Sequence, residues 1–478
     1  MQKKFVSNLL LLLVVNLLVK PFYVLGIDIE IQNRVGTDVY GNYFALLGFA
    51  FIFNMILDLG INNYNTKEIA NDPLFLKNKF SKLLALRFLL FIAYLVVVFI
   101  LGYFLGYTDY QQKLLLLLGV LQGMAMLILF LRSNLSGLLL FKKDTFISVF
   151  DRMLLIAILS YLLWGSNLDS FKIEWLIYSQ MVAYGITIVI AFIFLFKYIE
   201  NVSFSINKKF IASIFKQSLP YLLLTILMMM AYRLDSVMLE RMLINGKRQA
   251  GIYAKGFRFF EAANMIAYLF AVLLLPIFTK MLSKKEDVSD LTILSFKILF
   301  SGAFVITVLC FVYNKELLGL RYIEHIDEAA PVFGLLMISF LFVCIAYIFG
   351  TLLTANGSLK TLNKIALATL IINVILNVIL IPKYQAWGAA IASVISFSFS
   401  SILQVYFSFK KIPLKVDSRN VLNLIVFISG VIIFSYLSTI FFDFWLYNAI
   451  AFVLLSTLWI FITRMLSITK LITILKNE

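Results

Sequence analysis

Apolar stretches fill this chain almost from end to end, and only short polar segments separate them. Windows of about 20 apolar residues have the length that an α-helix needs to cross a bilayer. About fourteen such windows can be placed, so we predict an all-α membrane protein with about fourteen transmembrane helices. The windows cover residues 9–27, 43–61, 83–105, 114–131, 147–164, 175–196, 219–239, 259–277, 291–312, 331–353, 365–381, 388–407, 421–440 and 444–462.

Few charged residues lie inside these windows, and the most informative of them are Lys20, Arg152, Arg233 and Asp235. A charge at the centre of a membrane helix costs about 2.5–3.5 kcal/mol, so each is a hypothesis for a functional site. Arg152, beside Asp151 near one end of its window, is expected at the membrane interface. Lys20 precedes a helix-bending proline, and its long side chain has the alternative of reaching the outer interface.

Arg233 and Asp235 are two residues apart, about 200° around a helix, so each needs a separate partner. A planar guanidinium is suited to binding two oxygens of a phosphate. A lone carboxylate at that depth is suited to a cation or a proton. Asn373 and Asn377 add amide oxygens to one helix face, with hydrogen bonding to neighbouring helices as the alternative.

The composition excludes several classes of protein and several kinds of site. With 62% hydrophobic and 14% charged residues, a soluble globular protein is excluded. Cys310 and Cys344 lie within apolar windows, and His325 is the only histidine. These residues predict no disulfide framework, no Cys-ligated metal site and no cofactor.

Lysine and arginine concentrate in alternate loops, which indicates the cytoplasmic side of a membrane protein. This pattern places the N- and C-termini in the cytoplasm and accounts for most of the net charge of +16, so no nucleic-acid partner is expected. One predicted outer loop is an exception; we interpret it as a solvated basic rim, with a missed re-entrant element as the alternative. Its cations are Arg241, Lys247, Arg248, Lys255 and Arg258.

An internal repeat relates the two halves of the chain. Gly41-Asn-Tyr43 and Gly251-Ile-Tyr253 are 210 residues apart (251 − 41), and Asn54-Met-Ile56 recurs as Asn264-Met-Ile266 at the same offset. We predict an N-lobe of six spans over 1–205, a C-lobe of six spans over 206–412, and two further spans over 413–478. Parallel repeats of this kind are typical of two-lobed alternating-access carriers.

The same offset relates two of the intramembrane cations. Subtracting 210 from Arg233 gives Tyr23, which is about one helical turn from Lys20. Both lobes therefore place a cation at similar depth in their first span. If the lobes face each other, Lys20 and Arg233 should line a shared cleft.

Several short motifs resemble polysaccharide flippases of the Wzx type, which belong to the multidrug/oligosaccharidyl-lipid/polysaccharide (MOP) exporter superfamily. They fall after span two, in spans seven and eight, and in spans eleven and twelve, so the resemblance covers the full length. The motifs are Asp58-Leu-Gly60, Lys67-Glu-Ile-Ala70, Pro220-Tyr221, Tyr232-Arg-Leu-Asp235, Gly251-Ile-Tyr253, Pro276, Asn373 with Asn377, Ile381-Pro382, Tyr384 and Gly388-Ala-Ala-Ile-Ala392.

The resemblance implies a fold with two six-helix lobes around a cationic cavity, and a transporter rather than an enzyme. Its implied substrate is an undecaprenyl diphosphate-linked oligosaccharide, for example an O-antigen repeat unit, moved to the outer leaflet of the bacterial inner membrane. The bilayer is an implied partner, and polysaccharide polymerase machinery is a possible one. Arg233 and Lys20 are the candidate cavity cations, and Arg87 is a candidate at the inner gate.

Related flippases of peptidoglycan precursors can hold a sodium ion between spans seven, eleven and twelve. Asp235, Asn373 and Ser393 match that site in residue type, but Asn377 replaces its second acid. The coupling ion is therefore expected to be Na⁺ or H⁺, or transport needs none.

Two other functions stay open, a drug/cation antiporter of the same superfamily and a membrane glycan polymerase or glycosyltransferase. Cavity cations disfavour the first, and a short outer loop at 316–328 disfavours the second.

Overall fold

The structure is a computed structural model that describes residues 19, 21–72, 74–165, 170–199, 208–441 and 443–466. In these ranges the chain is helical and contains no strand, so the predicted all-α fold is confirmed. Fifteen α-helices follow one another, and we number them α1–α15. Short 3-10 or π-helical turns at Tyr23–Asp28, Asn54–Leu57, Tyr161–Gly165 and Phe196–Tyr198 adjoin some of them.

The first eight helices lie before residue 243. They are α1 Ile29–Val35, α2 Thr37–Ile52, α3 Ile61–Asn71, α4 Leu74–Phe104, α5 Asp109–Gly137, α6 Phe141–Ser160, α7 Ile173–Leu195 and α8 Lys208–Met242. The remaining seven are α9 Gly246–Ser283, α10 Ser289–Val312, α11 Asn314–Gly319, α12 Ile326–Ala355, α13 Leu359–Lys411, α14 Ser418–Phe441 and α15 Trp445–Ile462.

Ten of the described helices are long and apolar enough to cross a membrane. One of them, α13, has 53 residues and covers two predicted spans. Of the other predicted spans, the second falls on α2, which has only 16 residues, and the seventh falls on α8, which carries Arg233 and Asp235. The first lies mostly outside the described residues, so fourteen is an approximate count for this multi-pass membrane protein.

The bend in α13 separates predicted spans eleven and twelve. Gln385 has φ 54° and ψ −133°, which is outside the helical region. Pro382, just before it, lacks the backbone N–H that a continuous helix would use. A Cβ atom on Gly388 would lie 2.5 Å from the carbonyl oxygen of Leu380, so the chain at this bend requires glycine.

Contacts divide the chain into two compact units, Met1–Gly251 and Ile252–Glu478. In the first unit α2 packs on α8 and α5, and α5 also packs on α3, α4 and α7. In the second unit α12 packs on α10 and α13, while α14 and α15 pair with each other and contact α10. The predicted lobe boundaries at 205/206 and 412/413 follow the sequence repeat rather than contacts, and they stay a prediction.

The two repeated glycines contact each other within the first unit. A Cβ atom on Gly41 in α2 would overlap the backbone of Lys247 and Gly251 at the start of α9. A Cβ atom on Gly251 would overlap the carbonyl oxygen of Thr37. Gln32 adds a hydrogen bond from its Nε2 atom to the carbonyl oxygen of Gly251, at 3.0 Å. The repeat in the sequence thus marks the point where two backbones cross.

Candidate functional site

Helix α8 brings the predicted cation and the predicted carboxylate into the first unit. It lies close to α2, because a Cβ atom on Gly48 would be only 2.7 Å from Ser236 Oγ and 3.3 Å from the carbonyl oxygen of Arg233. The Ser236 hydroxyl donates to that same carbonyl oxygen at 2.9 Å. The backbone at Arg233 thus lies close to α2.

The guanidinium of Arg233 lies over the ring of Phe51 in α2. Its Cζ atom is 4.7 Å from the ring centroid, and the residue is half-buried. Such a cation–π contact contributes about 0.5–2 kcal/mol. The N–H groups lie in the plane of the guanidinium, which is the geometry that binds the paired oxygens of a phosphate.

Asp235 is much more buried than Arg233, with a relative exposure of 1%. Both residues belong to α8, but their environments differ: one is half-buried over an aromatic ring and the other is enclosed. A carboxylate taken out of water requires compensation by neighbouring polar groups. The predicted role of Asp235 as a ligand of a coupling ion stays a prediction.

The other candidate ion ligands lie in the second unit, on α13. Asn373 and Asn377 are fully buried, and Asn377 Nδ2 donates to Asn373 Oδ1 at 3.1 Å. Ser393 is 1% exposed, and its hydroxyl lies 3.5 Å from the hydroxyl of Tyr253 in α9. Within the described residues, no group of three or more His, Cys, Asp and Glu side chains is placed to hold a metal ion. The predicted four-residue ion site stays a prediction.

Lys20, the predicted partner of Arg233, lies outside the described residues. The prediction that the two cations line a shared cleft is therefore retained only as a proposal.

Comparison with known proteins identifies the family. A family model described as "Polysaccharide biosynthesis protein" matches residues 5–282, which is more than half of the chain. The chain belongs to this family. A curated relative, "Capsular polysaccharide biosynthesis protein CapF" of Staphylococcus aureus, is 28% identical over 170 residues, 35% of this chain and 42% of the relative. The chain thus spans less than half the length of this relative.

Solved structures share the fold of this polysaccharide biosynthesis protein. "Lipid II flippase MurJ, inward closed conformation" matches with a TM-score of 0.68 at 16% identity, covering 96% of this chain and 97% of that chain. An inward-facing multidrug resistance MATE family transporter of the MOP superfamily matches with a TM-score of 0.64 at 13% identity, covering 82% and 94%. The family model confirms the predicted polysaccharide family, and these structures confirm the predicted fold.

The motif Asp58-Leu-Gly60, one of those that resemble polysaccharide flippases, forms a turn that is hydrogen-bonded to Arg87. Arg87 Nη2 lies 2.7 Å from Asp58 Oδ1 and 2.5 Å from Asn62 Oδ1, and Nη1 donates to the carbonyl oxygen of Leu57 at 2.9 Å. The ring of Phe130 lies 5.0 Å from Arg87 Cζ. Arg87 is 6% exposed. These contacts support a role in fixing the turn between α2 and α3, and its predicted role at an inner gate stays a prediction.

A polar network that the sequence analysis missed joins α8 to the loop before α5. Arg241 lies over the ring of Tyr107 at 4.1 Å, contacts Glu240 at 2.6 Å and donates to the carbonyl oxygen of Leu105 at 2.9 Å. Gln111 Nε2 donates to Glu240 Oε1 and to Asn42 Oδ1, both at 2.8 Å. Burial, and then the charge of Glu240, raise the pKa of Tyr107 above its usual value. The only signal in the sequence was the unexpected cation at 241.

The interpretation of loop 241–258 as a solvated rim is wrong for two of its five cations. Lys255 is 1% exposed and Arg258 is 7% exposed. Lys255 donates to the carbonyl oxygen of Glu324 and lies 5.3 Å from the ring centroid of Tyr322, while Arg258 lies 2.6 Å from Glu261. These partners remove both cations from solvent, so they are structural elements of the second unit.

Proposed function

We propose that this chain is a flippase that moves an undecaprenyl diphosphate-linked oligosaccharide from the cytoplasmic to the outer leaflet of the bacterial inner membrane. The family match over residues 5–282 carries the proposal. The fold, which matches that of a Lipid II flippase over 96% of this chain, agrees with the proposal. Transport would use alternating access, without covalent change of the substrate, so the chain is not an enzyme.

Arg233 is the proposed ligand of the diphosphate, with Lys20 as its second cation. A diphosphate can leave water for a membrane cavity only if cations replace its hydration. Arg233 supports this role because it is half-buried, belongs to α8 beside α2, and lies over the ring of Phe51. The polyprenyl tail would stay in the lipid, since its transfer into a polar cavity would be unfavourable.

The test compares Arg233 with Arg152, which is a matched cation. Arg152 also lies over an aromatic ring, 5.1 Å from the Tyr23 centroid, with Asp151 at 3.8 Å, but it is predicted at the membrane interface and not in the cavity. We expect Arg233→Ala to slow translocation by about tenfold or more, because a hydrogen bond to a charged group contributes about 1.5–3 kcal/mol. Arg233→Lys should recover only part of this loss, since an ammonium lacks the planar fork. Arg152→Ala should translocate at nearly the normal rate.

The measurement uses cells that depend on this chain for surface glycan. It follows surface glycan and the leaflet that holds the lipid-linked precursor, with the amount of each variant in the membrane as the control. Accumulation of unchanged precursor in the cytoplasmic leaflet supports the flippase. Normal export by Arg233→Ala removes the phosphate role, and longer lipid-linked glycans made by the purified chain would identify a polymerase instead. Export of organic cations without any effect on glycan would identify a drug antiporter.

A further inference from the structure

A cavity of about 260 Å³ lies inside the second unit, between α10, α12, α13 and α14. Most of its wall is aliphatic or aromatic. Six of the wall residues are Phe296, Ile345, Phe349, Val405, Leu424 and Met465. An apolar cavity of about 150 Å³ already stays dry and takes up benzene, so water is a poor occupant of this larger one. The cavity is therefore suited to hydrocarbon.

Exposed apolar side chains stand at the mouth of this cavity. Phe409 is 44% exposed, Val416 is 41% exposed and Val421 is 47% exposed, and all three belong to the cavity wall. Phe409 and Val421 belong to α13 and α14, which are long and apolar enough to cross the membrane, and exposed apolar residues on such helices face lipid chains. The hydrocarbon within reach of the mouth is thus an acyl chain of the surrounding bilayer.

One end of the cavity is polar and carries positive charge. Lys297 belongs to the wall, and its Nζ atom donates to Asn420 Oδ1 at 2.8 Å. Ser289 Oγ accepts from the backbone N–H of Lys415 at 2.9 Å, and the Lys415 ammonium lies 3.8 Å from Asp287. Cations outnumber acids seven to four in the two chain segments that carry Ser289, Lys297 and Lys415, which are residues 284–297 and 410–419. They are Lys284, Lys285, Lys297, Lys410, Lys411, Lys415 and Arg419, against Glu286, Asp287, Asp290 and Asp417.

We propose that this cavity is a binding site for an anionic phospholipid, with one acyl chain inside and the phosphate beside Lys297. The apolar wall fits the chain, and the excess of positive charge fits the headgroup. A lysine near a membrane surface attracts acidic lipid by an amount that corresponds to about a fivefold change in affinity. The excess of cations also marks this end as cytoplasmic, so the lipid belongs to the inner leaflet.

The first experiment uses the unaltered full-length chain. Phosphatidylglycerol with a photoactivatable group near the end of one acyl chain is added to the protein in detergent, and the crosslinked residues are mapped. We expect labels on cavity residues such as Phe349 and Val405. Excess unlabelled phosphatidylglycerol should compete, and phosphatidylcholine should compete much less. Labels confined to other surfaces, or equal competition by both lipids, would overturn the proposal.

The second experiment distinguishes the contributions of the headgroup and the acyl chain to binding. It counts the phosphatidylglycerol molecules bound to each variant in native mass spectra. Lys297→Gln should weaken binding about fivefold. Ile293→Phe fills the cavity and should remove the bound lipid while the cations stay. Lys364→Gln is the control, since Lys364 is an exposed cation of the same unit that is not part of the wall. Undecaprenyl phosphate that displaces phosphatidylglycerol from the same residues at lower concentration would overturn the phospholipid assignment.

Discussion

At the scale of single residues, the ion pair of Arg87, whose side chain is 6% exposed, and Asp58, whose side chain is 16% exposed, has the clearest energetic consequence. Loss of one partner from a buried pair typically costs about 3–5 kcal/mol, because the remaining charge is left without compensation. We expect Arg87→Ala to lower the free energy of unfolding by about this amount, measured by detergent-induced unfolding of the purified chain. Asn62 and the Leu57 carbonyl would lose the same donor.

An exposed ion pair provides the control for this prediction. Lys315 and Asp327 are in contact, but their side chains are 65% and 80% exposed. Such pairs contribute about 0–1 kcal/mol, so Lys315→Ala should change the unfolding free energy very little. Equal losses in Arg87→Ala and Lys315→Ala would contradict the role of Arg87 in holding the turn.

Asp235 allows a prediction about energy coupling. If this carboxylate binds the coupling ion, transport in vesicles should respond to an imposed sodium or proton gradient, and Asp235→Asn should abolish that response. The matched control is Glu240→Gln, which changes another buried acid of α8 whose partners are Gln111 and Arg241. That variant should keep the gradient dependence. A normal gradient response in Asp235→Asn would assign Asp235 a structural role.

At the scale of helices, the crossing of α2 and α9 should tolerate no side chain at its two glycines. A Cβ atom on Gly41 or Gly251 would overlap backbone atoms, which have no rotamer to change. Overpacking of this kind costs about 1–3 kcal/mol. We expect Gly41→Ala and Gly251→Ala each to lower the thermal unfolding midpoint of the purified chain.

Gly302 in α10 is the matched control, because an added Cβ atom there would meet nothing within 4 Å. Alanine favours a helix over glycine by about 1 kcal/mol, so Gly302→Ala should raise the unfolding midpoint. A rise in all three variants would show that the crossing has room to adjust.

The sequence predicted these elements well where the signal was local. Apolar windows located α4–α7, α9, α10 and α12–α15, and the gap between windows 365–381 and 388–407 anticipated the bend at Gln385. Contacts between residues that are far apart in the chain could not be predicted from the sequence. Arg87 and the Asp58 motif were each noticed, but they are 29 residues apart, and nothing in the sequence joins them. Lys255 was assigned to solvent because its partner, Glu324, is 69 residues away.

At the scale of the whole molecule, the distribution of lysine and arginine predicts which loops face the cytoplasm. The loop between α9 and α10 carries Lys284 and Lys285 and should be inside, whereas the loop between α11 and α12 should be outside. The only cysteines, Cys310 and Cys344, are buried, so a variant with both replaced by alanine is a suitable background. Ile323→Cys, at a position 77% exposed, should then react with a membrane-impermeant maleimide in intact cells.

Lys285→Cys should react with the same reagent only after the membrane is permeabilised, since this exposed residue is predicted to face the cytoplasm. The two positions are separated by α10, the helix Ser289–Val312 that is long and apolar enough to cross the membrane, followed by the short α11. One crossing must place them on opposite sides, so one of the two should always be protected in intact cells. The reverse pattern of labelling would invert the predicted topology and place the cavity beside Lys297 in the outer leaflet. Labelling of both positions in intact cells would show that α10 does not cross the membrane.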